Sequence, residues 1–204
     1  MNLGIRLGRA LLAFGAVATL TASIFTAPAA SAATEIAGFK FDDTTKVNGQ
    51  DLKLNGAGIR YKFVVKVYAA GLYIADKKTT TADVIAEPGA KRITLIMLRE
   101  VGSETMGQAF IDGIKKNSDI AERSKIVNQM LTFGNLFGSI PELNKGDVVT
   151  TDWIPGSGTV VSVNGKKLTD PIPDIAFYNA LLKIWLGDRP ADSKLKSAML
   201  GDAS

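Results

Sequence analysis

One stretch of the chain, Leu54 to Ile74 (LNGAGIRYKFVVKVYAAGLYI), joins a strong structural pattern to side chains that could do chemistry. From Lys62 onward, Phe63, Val65, Val67, Ala69, Gly71 and Tyr73 alternate with Lys62, Val64, Lys66, Tyr68, Ala70, Leu72 and Ile74. A period of two predicts one long β-strand. The first set is apolar, whereas the second begins with two ammonium groups and a phenol and ends apolar. A sheet built on this strand would present a greasy wall with a positive, hydroxyl-bearing rim, a surface suited to an amphipathic acid.

The rest of the composition narrows the chemistry. The 204 residues contain no histidine and no cysteine. That removes the usual general base near neutral pH, the Ser-His-Asp and Cys-His arrangements, the commonest zinc ligand and any disulfide. Catalysis, if there is any, rests on Tyr, Lys, Arg, Asp or Glu. The acids Asp42, Asp43, Asp112, Asp119, Asp170 and Asp174 follow no metal-loop spacing, so no metal site is expected. Gly56-x-Gly58 lacks a third glycine and leads into a strand instead of a helix, which argues against a dinucleotide site. No cofactor is expected.

The elements that must position this stretch can be read in order. Arg6 and Arg9 precede an uncharged Ala/Leu-rich run from Ala10 to Ile24, followed by small residues ending in Ala30-Ser31-Ala32. This is the pattern of a signal peptide cleaved after Ala32, which implies a periplasmic or secreted protein without a stable membrane anchor. A spanning helix would need about 20 apolar residues, and Thr19, Thr21 and Ser23 interrupt this run. Cleavage removes two of the 24 basic residues and none of the 20 acidic ones. The near-neutral remainder, without basic runs, gives no support for nucleic-acid binding. Residues 33–204 suffice for one domain with a sizeable core.

Within that domain, Ile36 to Phe41 reads as a short first strand, and Asn48-Gly49 as a turn into Leu52. Thr81 can start a short helix that Pro88-Gly89 closes. Arg92 to Leu98 (RITLIML) fits a central strand covered on both faces. Two longer helices are expected, over Gly102–Asn117 and Ile120–Phe137, the second with a stripe of Ile126, Val127, Met130, Leu131 and Phe133. Asp147–Ile154, Thr159–Val163 and Lys166–Leu168 form a meander with an Asn164-Gly165 hairpin. A helix then carries Phe177, Leu181, Leu182, Ile184 and Trp185 up to Gly187, and Ser193–Leu200 forms a last short one. The expected fold is α+β: an antiparallel β-sheet with a layer of helices on one face.

Gly56, Gly58, Arg60, Lys62, Phe63, Ala69, Gly71 and Tyr73 also carry a family resemblance. In order and spacing they are similar to the central strand signature of chalcone isomerase-like proteins, and VNGKKL (Val163–Leu168) and ALLKIWLGDRPA (Ala180–Ala191) resemble the bacterial exported members. The resemblance covers roughly Gly38 to Gly201 and implies an open-faced sandwich with the ligand cleft between sheet and helices. Carried over position by position, the family's arginine is kept as Arg60. Its strand threonine corresponds to Tyr68, its tyrosine to Thr105, its asparagine falls near Asp112, and its last helix residue near Tyr178. Most of the flavonoid-cyclising set is therefore replaced. The pattern is closer to the non-catalytic fatty-acid-binding branch, in which an arginine and a tyrosine hold a carboxylate.

The resemblance thus implies a ligand site of Arg60, Tyr68, Thr105 and Tyr178, with a fatty acid or similar apolar carboxylate as partner and no turnover. Guanidinium and phenol suit that task through a bidentate fork and a charge-assisted hydrogen bond. On a straight strand Arg60 and Tyr68 would stand about 26 Å apart at roughly 3.3 Å per residue, so the pairing requires the chain to reverse near Arg60–Lys62. Two alternatives stand beside this reading. One is an isomerase of the intramolecular lyase type, with Arg60 holding an anionic substrate and Tyr68 bearing the proton. The other is a structural or interaction module with a filled cleft, in which Arg60 caps a turn, Tyr68 is an ordinary strand tyrosine, and Thr105 and Tyr178 pack.

Overall fold

Three dipeptides place two consecutive residues at positive φ: Ala37-Gly38 (53° and 83°), Asn48-Gly49 (47° and 80°) and Asn164-Gly165 (51° and 77°). Such turns carry the twist of the strands they join and so favour tight antiparallel hairpins. The structure, a computed structural model, describes residues 33–140 and 142–202 together with Met1. The expected signal peptide lies outside the described residues.

The strands follow in chain order as β1 (Ala33–Ile36), β2 (Phe39–Asp42), β3 (Thr44–Val47), β4 (Gln50–Lys62), β5 (Val65–Ile74), β6 (Lys91–Met97), β7 (Val101–Gly102), β8 (Glu142–Leu143), β9 (Val148–Ile154), β10 (Gly158–Val163) and β11 (Lys166–Lys167). Seven of them make one sheet in the order β11-β10-β9-β6-β5-β4-β3, each neighbour antiparallel. The helices are α1 (Thr81–Ala86), α2 (Ser103–Asn117), α3 (Ile120–Lys125), α4 (Val127–Gly138), α5 (Ile175–Leu186) and α6 (Ser193–Met199). The main core joins Tyr68, Leu72, Ile93 and Leu95 of the sheet to Met106, Phe110, Phe133, Phe177 and Trp185 of the helices. This is the expected α+β fold, an antiparallel sheet with helices layered on one face.

The other face is not left bare. What the alternation suggests is one strand over Ile36–Phe41 is the β1–β2 hairpin, because Ala37-Gly38 turns the chain. The hairpin lays Phe41 on that face in a second core with Leu54, Ala69, Tyr73 and Ile96. Gly71 makes room for it, since a Cβ there would stand 2.7 Å from Phe41 Cδ1.

The helix expected over Ile120–Phe137 is two helices. Asp119 caps α3 in a reciprocal capping box with Glu122, and the chain leaves helical geometry at Ile126 (φ −115°, ψ 14°) before α4 begins. The break changes which residues turn inward. Ile126, Met130, Phe133, Leu136 and Phe137 are buried, whereas Val127 and Leu131, expected in the buried stripe, are 49% and 62% exposed.

Candidate functional site

The expected long strand from Lys62 to Ile74 is corrected by a reversal at Phe63-Val64, where β4 ends and β5 begins. Phe63 sits at φ 57°. Lys62 consequently pairs with Val65, and Arg60 lies directly opposite Tyr68 on the neighbouring strand. The reversal that the resemblance requires is therefore present, and two groups that a straight strand would separate become cross-strand neighbours.

A register shift sharpens this arrangement. Arg60 pairs with Tyr68 but Tyr61 pairs with Lys66, which leaves Val67 as the extra residue of a β-bulge. The bulge lets consecutive residues, Val67 and Tyr68, both face the helices, and both line a cavity of about 400 Å³ at the sheet–helix boundary. Its apolar wall comes from Val65, Val67, Met106, Ala109, Phe110 and Ile184; Arg60, Lys62, Arg99, Glu100 and Thr105 supply the polar part. Side chains do not fill the cleft.

Arg60 is the unusual member. It is half-buried, its Nε is buried with no hydrogen-bond partner, and among the described residues it joins no ion pair. Its guanidinium carbon stands 5.5 Å from the centre of the Tyr68 ring, within cation–π range. Asp192 forms no ion pair with it; its Oδ1 accepts from the backbone N–H of Lys194 (2.9 Å) and Leu195 (3.2 Å), and its Oδ2 from that of Tyr61 (2.9 Å). The cavity wall thus carries a half-buried guanidinium with an unpartnered donor, an arrangement compatible with an anion.

Tyr68 is almost fully buried, and its hydroxyl accepts a 2.9 Å hydrogen bond from Trp185 Nε1. An indole N–H can only donate, so this bond leaves the phenol's own proton for an acceptor in the cavity. Burial pushes the phenol up to about 12, with Arg60 and the Trp185 bond pulling the other way. At neutral pH it is a donor, not a base. Trp185 is itself fixed by Phe110, whose ring lies 5.7 Å away edge-on and also lines the cavity. Composition alone passes over Trp185 as one more apolar residue of a helical stripe; the usable signal is that a buried indole N–H needs an acceptor.

Thr105 lies in the first turn of α2, exposed, and lines the same cavity. That helix begins at Gly102 without a side-chain cap, so its partial positive charge borders the cleft as well. Arg60, Tyr68 and Thr105 are thus brought together. Tyr178 is not, which corrects its assignment to the ligand site. It is fully buried, its hydroxyl donates to the Thr151 carbonyl (3.2 Å), and its ring packs 6.1 Å from that of Trp153. Nearby, Arg92 and Asp152 form a two-pronged ion pair of 2.7 and 2.6 Å. Burial and the Asp152 carboxylate hold the Tyr178 phenol well above its ordinary value; the residue is part of the core. Asp112 lies on α2, where it accepts from Gln108 Nε2 at 2.8 Å, and does not line the cavity.

Known proteins give an independent comparison. No curated protein sequence matches the chain. Among solved structures, the crystal structure of an Arabidopsis thaliana fatty-acid binding protein superposes with a TM-score of 0.62, covering 80% of this chain and 92% of that one at 16% identity. At that identity the likeness establishes the fold. The family model described as chalcone isomerase-like matches residues 33–201, nearly all that the structure describes; the chain belongs to the chalcone isomerase-like family.

Proposed function

We propose that the protein binds a fatty acid or a similar apolar carboxylate in this cavity and does not turn it over. The observation that carries the reading is the pairing of Arg60, a half-buried guanidinium in no ion pair among the described residues, with Tyr68, whose oxygen accepts from Trp185 and whose proton remains available. Guanidinium and phenol are both donor groups suited to a carboxylate, and the apolar wall behind them accommodates a chain. The volume is within the range of about 300 to 1,000 Å³ usual for small-molecule sites. The fatty-acid binding named for the Arabidopsis protein of the same fold supports the same class of ligand.

Turnover is disfavoured by the same chemistry. A phenol held near 12 is a poor base at neutral pH, the position matched to the family's catalytic tyrosine holds Thr105, and Tyr178 is committed to the core. Purified protein is expected not to accelerate chalcone cyclisation. Stereoselective turnover well above the spontaneous reaction, lost in Arg60→Ala, would establish the isomerase reading instead. Binding itself is tested by titration with a labelled long-chain acid below its micellar concentration: saturable binding is expected, and its absence contradicts the proposal.

Export belongs to the same reading, motivated by Arg6, Arg9, the apolar run and Ala30-Ser31-Ala32. The recovered protein should begin at Ala33. Intact-mass measurement checks this, and a mass that retains Met1 would remove both the cleavage and the periplasmic or secreted location.

A further inference from the structure

The turn that brings Arg60 to Tyr68 has a second property. Its tip is apolar and uncovered: Phe63 is 94% exposed, Val64 89% and Val65 41%. Exposed apolar residues scattered singly are ordinary, but three in succession at the end of a projecting hairpin are not. The tip also holds Phe63 at φ 57°, a region costly for a bulky side chain, where Asn or Gly is the usual choice. Lys62 and Lys66 flank the three residues, both exposed, and neither forms an ion pair among the described residues. The tip is joined to the cavity, since Phe63 and Val65 line its mouth.

We propose that the Lys62–Lys66 tip docks the protein onto an anionic lipid bilayer, so that the cavity takes up and releases its acid at the membrane surface; the exchange half of this proposal rests on the fatty-acid reading above. An apolar wedge bracketed by ammonium groups matches the layering of such a surface, with acyl chains below and negative headgroups at the level of the lysines. A protein partner fits less well. Three residues on a convex hairpin offer far less than the roughly 1,200 Å² a stable protein interface buries. A bilayer needs only the wedge and the charge.

The test uses the chain from Ala33 onward, which holds both described core clusters, and phosphatidylcholine vesicles with and without phosphatidylglycerol. Co-flotation is expected with the anionic vesicles and much less with the neutral ones. Val64 and Lys66 do not line the cavity, so Val64→Asp and Lys66→Glu are expected to weaken vesicle binding at least roughly tenfold. Both should keep the affinity for a labelled acid in vesicle-free buffer within about twofold. Arg60→Ala should do the reverse, losing the acid and keeping the vesicles. If wild type ignores anionic vesicles, or Val64→Asp binds them as well as wild type, docking is overturned while acid binding stands on its own titration. If vesicles bind and no acid does, docking survives and the exchange role falls with the carrier reading. If the tip instead mediates self-association in vesicle-free buffer that Val64→Asp abolishes, and vesicles are ignored, its occupant is a second copy and the lipid proposal is wrong.

Discussion

In the proposed site Arg60 and Tyr68 would divide the work of holding an anion. The guanidinium brings to the cavity wall a charge that forms no ion pair among the described residues, and the phenol, oriented by Trp185 Nε1, adds a directed proton. Losing a hydrogen bond to a charged group costs about 1.5 to 3 kcal/mol, so Arg60→Ala should weaken acid binding by roughly 10- to 150-fold in a titration while leaving the fold intact. Tyr68→Phe should cost less, because packing is kept, and a loss below about twofold for both changes would remove them from the site. Tyr68 also ties stability to pH. Its phenol ionises at about 12 when folded and 10 when unfolded, so its contribution is fully present below pH 10 and disappears as pH rises through 12. The loss amounts to about 2 to 3 kcal/mol for this buried group. Tyr73 and Tyr178 are raised too and act in the same direction. Urea midpoints should therefore fall between about pH 10 and 12, and less steeply in Tyr68→Phe; equal slopes would contradict the assignment.

The elements explain why the motif has its glycines. Gly56 and Gly58 lie on the helix face of β4, where α6 crosses: a Cβ at Gly56 would stand 2.0 Å from the Ala198 carbonyl oxygen, and one at Gly58 2.8 Å from Ala198 Cβ. Backbone cannot yield to such overlap without the helix moving. The close approach is what lets Asp192, the N-cap of α6, hold the Tyr61 N–H beside Arg60. Asn55, the extra residue of a bulge in β4, clamps the other end of α6 by donating to the Met199 carbonyl at 2.7 Å. Gly56→Ala is expected to destabilise by about 1 to 3 kcal/mol, seen as a lower urea midpoint, together with weaker acid binding as Arg60 loses its neighbour. An unchanged midpoint would mean that α6 is not held this way. The sequence signals fail where local chemistry is atypical. Asn48-Gly49 and Asn164-Gly165 announce their hairpins, but Phe63-Val64 carries no turn residue, so alternation reads straight through it. The break at Ile126 is similarly hidden, since neither Gly nor Pro marks it. Tyr178 shows a different limit: a helical aromatic is legible as buried, but which neighbour receives its hydroxyl depends on contacts with Thr151 and Trp153 across the fold.

At the scale of the molecule, the sheet is a scaffold with unequal cover on its two faces. Helices cover one side, the β1–β2 hairpin covers part of the other, and the cavity opens beside the β4–β5 tip. The antiparallel sheet and the layer of helices on one face were legible because alternation and helical stripes report local environment directly. The cavity was not, since a void is a property of residues far apart in sequence: Val67, Phe110 and Ile184 leave space only once α2 and α5 are packed against β5. The central claim is that this space holds an apolar acid by its carboxylate. The most direct measurement is native mass spectrometry of the freshly purified protein from Ala33 onward, followed by mass spectrometry of the lipids it releases. An adduct with the mass of a long-chain carboxylic acid is expected, at one per chain and strongly depleted in Arg60→Ala. A protein that carries no such adduct, takes none up when a fatty acid is added, and is indistinguishable from Arg60→Ala would contradict that claim.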